Sequence, residues 1–308
     1  MRKIIFFAIM VIFILSIICM RGGVLRTKQV DIFMICNEKY APYTAAAIQS
    51  IEKNKSFWTQ NNFYLATTDD VEKVKLYFND KLKKKITFIS VSDFFKGKYG
   101  EELLNVYNTR FFASEMFPNL DKILYLDSDI FVFKDLSLLY SEDIQTVYAG
   151  VVSDIPSSIK RRKDVLGIKT YFNAGVMLLN LKKMRDDNVL EQLIKNYDLL
   201  DKEGKLLWAD QDVLNYTFKE NVRFLPEKYN QQGLALTKEK DDATYILHYT
   251  SFKPWKDYPV PYYFTWWENF EKTHLAHYEK QPDKSVFLED YKKVNDRFIR
   301  VKNKDFFK

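Results

Sequence analysis

Glycine and proline are scarce in this 308-residue chain, at 9 and 8 residues, and cysteine is scarcer still, at 2. The first shortage leaves no Gly/Pro-rich or low-complexity tract to act as a long disordered linker. The second excludes a disulfide framework, because Cys19 lies in an apolar N-terminal run and Cys36 follows a predicted buried strand. No repeat at solenoid spacing is present. A strong charge of one sign is lacking too. The net charge is +6, or +4 once Arg2 and Lys3 are set aside with the N-terminal segment. That is too mild and too dispersed for a nucleic-acid-binding face, so no nucleic-acid partner is expected. Two basic concentrations, Lys160 to Lys163 and the tail from Lys292 to Lys308, read as solvated surface.

What the chain does have is apolar and aromatic mass, 47% hydrophobic and 16% aromatic residues, enough for one large α/β domain with an appendage. One long hydrophobic run exists, Ile4 to Met20, with Ser16 as its single polar member. It sits at the lower edge of bilayer-spanning length. The bulky Ile17-Ile18 before Cys19 is poor context for signal cleavage. The reading is therefore an uncleaved single-pass membrane anchor. Basic residues on both flanks do not choose a side of the membrane.

After this run, short strand-type segments alternate with helical ones. Strands are expected at Val30 to Cys36, Phe63 to Thr67, Ile86 to Val91, Ile123 to Leu126, Val147 to Val152, Gly175 to Leu181 and Tyr245 to His248. Helical patterns cover Tyr43 to Lys53, Val189 to Leu200 and Gln211 to Phe218, while Asp154 to Thr170 reads as a polar connection. Such alternation predicts an α/β fold with a mostly parallel sheet covered on both faces.

The strand ILYL ends on Asp127-Ser128-Asp129. Two carboxylates at the carboxyl end of a parallel strand stand where open α/β sheets bind ligands, and they suit a hard cation that also grips phosphate. On the residues alone, the pair reads either as a metal site or as a solvated turn. His248 ends a short strand, and alone it reads as a core or rim histidine. Lys253-Pro254-Trp255 follows, with a lysine able to neutralise phosphate. Asn173 stands directly before another buried strand. Asp210 opens a helix, where an acid also serves the positive end of the dipole.

Taken together and in order, these motifs resemble glycosyltransferase family eight, the retaining enzymes that include glycogenin and the lipooligosaccharide galactosyltransferases. The resemblance runs from about Val30 to Trp255. It is carried by the opening strand with Tyr40, by Arg110, and by LYLDSD, YFNAGVMLLNLKK, DQDVLN and HYTSFKPW. It implies a GT-A type nucleotide-diphospho-sugar transferase fold; the domain reading is then residues 1–28 as anchor and stem from hydropathy, 29–255 as catalytic domain, and 256–308, aromatic, charged and helical in pattern, as a C-terminal helical extension. It implies transfer of a hexose, glucose or galactose, from a UDP-sugar to a glycan, lipid-linked or protein acceptor, with retention of configuration.

Residue by residue, the resemblance gives Asp127, Asp129 and His248 to a metal, Mn²⁺ or Mg²⁺ in its place, with the imidazole favouring Mn²⁺. Ile35, Asn37 and Tyr40 fall at the uridine and Ser128 at the ribose. Arg110, Asp154, Asn173, Asp210 and Gln211 fall at the donor sugar, and Lys253 at the diphosphate. Gln211 and Asp210 are the expected catalytic pair. Gln211 is an amide and so a weak nucleophile, which leans toward departure and attack on one face of the sugar. A strand ending in Asp-x-Asp also opens haloacid-dehalogenase-type phosphatases. There it belongs to the first strand, whereas here an α/β pattern precedes it, and the Asn173, Asp210 and His248 motifs would be left without a use. A third reading is a non-catalytic nucleotide- or glycan-binding protein on the same fold.

Overall fold

The structure, a computed structural model, describes residues 27–100, 103–232, 243–250, 253–255, 262–270 and 272–273. Among these lie nine strands: β1 (Lys28–Cys36), β2 (Thr59–Thr67), β3 (Ile86–Ser90), β4 (Lys122–Leu126), β5 (Ile130–Val132), β6 (Ala149–Ser153), β7 (Phe172–Asn180), β8 (Val222–Phe224) and β9 (Ile246–His248). Five helices reach eight residues: α1 (Ala41–Asn54), α2 (Pro156–Leu166), α3 (Val189–Lys202), α4 (Ala209–Phe218) and α5 (Tyr263–Phe270).

Seven strands form one sheet in the order β3-β2-β1-β4-β7-β6-β8, and β5 pairs with β9 alone. The sheet is mostly parallel as expected; β7 is the exception, antiparallel to both β4 and β6. Apolar patterning carries no information about strand direction, so this reversal was invisible in sequence. Alternation along the strands decides the layers. Val30, Ile32 and Met34 of β1 enter one core with the Ala45–Ile51 face of α1 and with Trp266 and Phe270 of α5. Phe33 and Ile35 enter a second core with Val189 and Leu193 of α3 and Val213, Leu214 and Phe218 of α4. With both faces covered, strands such as β7 are buried at every residue.

Two local readings change. The polar connection after Asp154 holds α2, which opens on Pro156, a residue suited to a first helical turn, and closes on Gly167 at φ +64°. Within the basic run, Arg162 is not solvated. It is 4% exposed and its Nε donates to the fully buried Asp212 at 2.9 Å. Asp212 also accepts from the Tyr171 hydroxyl and from the N–H groups of Leu207 and Trp208. Asn215, part of a glycosylation-type sequence, is buried with its amide bonded to two backbone carbonyls.

The expected membrane anchor and membrane localisation do not stand. Among the described residues no helix is long and apolar enough to cross a membrane, and the run Ile4 to Met20, already at the lower limit of spanning length, lies outside the described residues. The same holds for the stem up to residue 26 and for residues 274–308. Part of the expected C-terminal extension is joined to the main core. In α5, Trp266 is 1% exposed, Trp267 Nε1 donates to Pro254 O at 3.1 Å, and Asn269 Nδ2 donates to Ala46 O at 2.8 Å.

Candidate active site

Strand β4 ends at Leu126, but its pairing continues for one residue, because Asp127 N–H donates to Gly175 O at 2.8 Å. The chain then turns through Ser128 and Asp129 into β5. Ser128 fixes that turn from beneath, donating to Ile35 O at 3.3 Å and accepting from Thr44 Oγ1 at 2.7 Å. Its hydroxyl is thus engaged by β1 and α1, although the residue borders the cleft. Register does the next step. Ile130 lies opposite His248 in the β5–β9 pair, and Tyr249 N–H donates to Asp129 O at 2.9 Å. A histidine 119 residues downstream is thereby set beside the two aspartates, with His248 Nε2 at 3.1 Å from Asp129 Oδ1 and 3.7 Å from Asp127 Oδ2.

One ligand atom from each of Asp127, Asp129 and His248 lies within 4.8 Å of the others. Two carboxylate oxygens and an imidazole nitrogen are a donor set that fits a divalent cation accepting both oxygen and nitrogen. Gly175 belongs to this cluster through what it lacks: a Cβ there would stand 2.2 Å from His248 Cε1 and 2.7 Å from Asp127 Oδ2. A glycine inside a buried strand is a sequence-level sign of close approach. Asn230, absent from the sequence reading, stands behind the histidine with Oδ1 at 3.0 Å from His248 Nδ1.

Charge surrounds the cluster. Lys253 pairs with Asp129 Oδ2 and with the carbonyl of Tyr249. Burial opposes ionisation of Asp129, yet His248 and Lys253 together hold its carboxyl well below the usual range. Asp127 Oδ1 accepts from the Tyr125 hydroxyl at 2.7 Å and pairs with Arg110 Nη2 at 3.1 Å. Arg110 lies over the Tyr125 ring and pairs through Nε with Asp210 Oδ2 at 3.0 Å. Burial lifts the Asp210 carboxyl to about 6, against the attraction of Arg110. Asp210 is not the N-cap residue of α4, which is Trp208; its carboxyl pairs with Arg110 and also accepts from its own and the Gln211 backbone N–H at the helix start.

A second group converges from β7 and α4. Gln211 Oε1 accepts from Ala174 N–H at 3.0 Å, and Gln211 Nε2 donates to Asp154 Oδ2 at 2.8 Å. Asn173 Nδ2 lies 3.3 Å from Gln211 Oε1. Burial raises the Asp154 carboxyl above its ordinary value. Both groups face one cleft of about 720 Å³, within the usual range for a small-molecule site. Ile35, Asn37 and Tyr40 line it too; Asn37 Oδ1 accepts from Tyr40 N–H at 3.0 Å and so caps the short turn that carries the tyrosine. Tyr40 meets Trp255 edge-on, and Trp255 stacks on Tyr43 at 3.8 Å. All thirteen residues expected at the site border this cleft.

A family model described as Glycosyl transferase family 8 matches residues 31–258. The lipopolysaccharide 1,2-glucosyltransferase of Escherichia coli K12 is 33% identical over 168 residues, covering 49% of each chain. The glycosyltransferase GlyE of Streptococcus pneumoniae serotype 4 is 33% identical over 174 residues, 52% of this chain and 39% of that protein. The chain thus spans about half the length of the first of these curated relatives, and less of the second. Among solved structures, the galactosyltransferase LgtC in complex with donor and acceptor sugar analogs has a TM-score of 0.66 at 22% identity, over 83% of this chain and 98% of that one. This likeness establishes the GT-A type fold.

Proposed function

The chain belongs to glycosyl transferase family 8, and on that premise we propose that it moves a hexose from a UDP-sugar to a glycan acceptor with retention of configuration. The observation that carries the reading is the meeting, in one cleft, of a metal-type Asp127–Asp129–His248 cluster with Lys253 and with the Asp154–Asn173–Asp210–Gln211 group. Relatives named lipopolysaccharide 1,2-glucosyltransferase and a structural neighbour named galactosyltransferase support glucose or galactose as the sugar. The same names favour a glycan, including a lipid-linked one, over a protein as acceptor. The 29–255 catalytic unit of the sequence reading is extended here to include α5, because Trp267 bonds Pro254 in the loop of Lys253 and Asn269 bonds Ala46 in α1.

In this reading Asp127, Asp129 and His248 hold Mn²⁺, with Mg²⁺ a weaker substitute at a nitrogen-containing site. Bound there, the cation supplies neutralising charge to the departing nucleotide diphosphate. Lys253 adds a second positive charge at the same rim. Arg110 is pinned between Asp127 and Asp210 and spaces the diphosphate end from the sugar end. Gln211 has both ends of its amide engaged, so it orients the sugar and does not attack it. Asp210 and Asp154 face the positive charge that develops on the sugar ring, and the incoming hydroxyl approaches the face the nucleotide leaves. Ile35, Asn37 and Tyr40 receive the base, and Ser128 borders the ribose.

UDP release from UDP-glucose and UDP-galactose, measured separately with Mn²⁺, with Mg²⁺ and with chelator, tests the reading without an acceptor. Slow release with one donor, highest with Mn²⁺ and abolished by chelator, is expected. Equal release with and without chelator, or none with either donor, contradicts it. The anomeric configuration of a transferred sugar, read by NMR, tests retention.

A further inference from the structure

We propose that Asn230 is a positioning residue that decides which nitrogen of His248 is offered to the cation; this rests on the metal reading above. Backbone N–H groups can only donate, and here they fix the orientation of two side-chain amides. Gly175 N–H donates to Asn173 at 3.0 Å, which identifies the atom there as the amide oxygen, Oδ1. Ala174 N–H likewise identifies the oxygen of Gln211, and Asn173 Nδ2 faces it at 3.3 Å. Asn173 is therefore fixed at both ends.

Asn230 meets that same Asn173 oxygen at 2.9 Å, and only its NH₂ can donate there. The Asn230 carbonyl oxygen is consequently the atom turned to His248 Nδ1, at 3.0 Å. An oxygen acceptor at that distance requires Nδ1 to carry a proton. Nε2 is the nitrogen that faces the acceptor-only carboxylates of Asp129 and Asp127; it holds a proton against them while no cation lies between, and offers its lone pair once a cation displaces that proton. The opposite neutral tautomer would set two lone pairs against each other with no water to intervene, since Asn230 is 0% and His248 2% exposed. The backbone holds the pair in register: His248 N–H donates to Gln231 O at 2.8 Å and Gln231 N–H to Ile246 O at 3.0 Å. The run His248–Asn230–Asn173–Gln211–Asp154 thus joins the cation end of the cleft to its sugar end through three amides. A metal-ligating histidine depends on such a partner for ring orientation and basicity.

The test uses the full chain, labelled with ¹⁵N-histidine and loaded with a diamagnetic divalent cation, Zn²⁺. The His248 signals are assigned by their loss in His248→Ala. Nδ1 is expected to be protonated and Nε2 bound to the cation; a ring protonated at Nε2 and bound through Nδ1 overturns the proposal. In parallel, Mn²⁺ is titrated by EPR into wild type and Asn230→Ala, with and without UDP. The variant is expected to bind about 10- to 100-fold more weakly and to lose the single tautomer; affinity within twofold of wild type overturns the proposal. If Asn230→Ala fails to fold, the wild-type tautomer still decides. Wild type that binds no Mn²⁺ overturns the metal reading and the role of Asn230 with it, a result distinct from the wrong tautomer in a protein that does bind Mn²⁺.

Discussion

At one end of the cleft, Asp127, Asp129, His248 and Lys253 are gathered where β4 passes into the two-strand ribbon of β5 and β9, and are held mainly by charge. At the other, Asp154, Asn173 and Gln211 are held by amide hydrogen bonds that begin on backbone N–H groups of the nine-residue buried strand β7. Backbone donors keep their place whatever the ions do, so the sugar end is pre-organised in the bare chain. The ionic end is made of groups that must be neutralised by one another or by a cation, and its affinity follows the charges present. The difference teaches where binding energy and where orientation arise: the first at the ribbon, the second at the sheet.

The largest effect should come from taking one charge from the ribbon. Asp129→Asn keeps size and hydrogen bonding but removes the partner of both His248 and Lys253. Transfer should fall by about 10³-fold, the order seen for loss of one preorganised electrostatic group, with excess Mn²⁺ restoring it in part at best. Melting of the metal-free variant should stay within a few degrees of wild type. A variant with unchanged turnover would remove the ribbon from the chemistry and leave the sugar end to explain it alone.

A second substitution asks whether the two ends are separable. In Gly175→Ala the new methyl meets His248 Cε1 at 2.2 Å and Asp127 Oδ2 at 2.7 Å. Because Gly175 N–H also anchors Asn173, displacement should reach both ends. Overpacking of this kind costs about 1–3 kcal/mol of stability, and disturbing a ligand from behind weakens metal binding by about 10- to 100-fold. Denaturant unfolding and Mn²⁺ titration on one preparation measure the two. Lost metal affinity without lost stability would mean that the ribbon yields while the sheet does not.

The sequence exposed the ribbon better than the network behind it. Asp127 and Asp129 stood out because they end a buried apolar strand, although on the residues alone the pair read equally as a solvated turn, and His248 because a family motif surrounds it. The fold class was legible from alternation alone. Asn230 follows a short turn, Glu227–Tyr229, with no periodicity, and nothing in an isolated asparagine announces a histidine behind it. Arg162 read as one cation in a solvated run because its partner, Asp212, lies 50 residues away. The polar face of α2 hid a helix for the same reason: its few buried residues, Arg162 and Leu166, include an arginine. The membrane reading failed differently, since hydropathy of one short run was asked to decide a location that the described helices do not support.

The smallest effect concerns how charge and burial compete between the ends, at Asp210. Burial raises its carboxyl from 3.8 to about 6 despite Arg110. The folded chain therefore keeps this group protonated at pH values where the unfolded chain has lost the proton. Its contribution to stability is full below about pH 4 and declines as pH rises through about 6, by no more than about 3 kcal/mol at 1.36 kcal/mol per unit. Asp129, held low by His248 and Lys253, works the other way: its contribution is present above the ordinary carboxylate range and is lost as pH falls. Comparing wild type with Asp210→Asn in metal-free denaturant unfolding isolates the first slope, because Asp129 is common to both and the altered Arg110 pairing adds only a constant offset. Wild type should lose stability relative to the variant between about pH 4 and pH 6. A slope of opposite sign would mean that the Arg110 pair outweighs burial and that Asp210 is ionised throughout. In that event the sugar end would be held by charge as the ribbon is, and the contrast between the two ends would narrow to the amides alone.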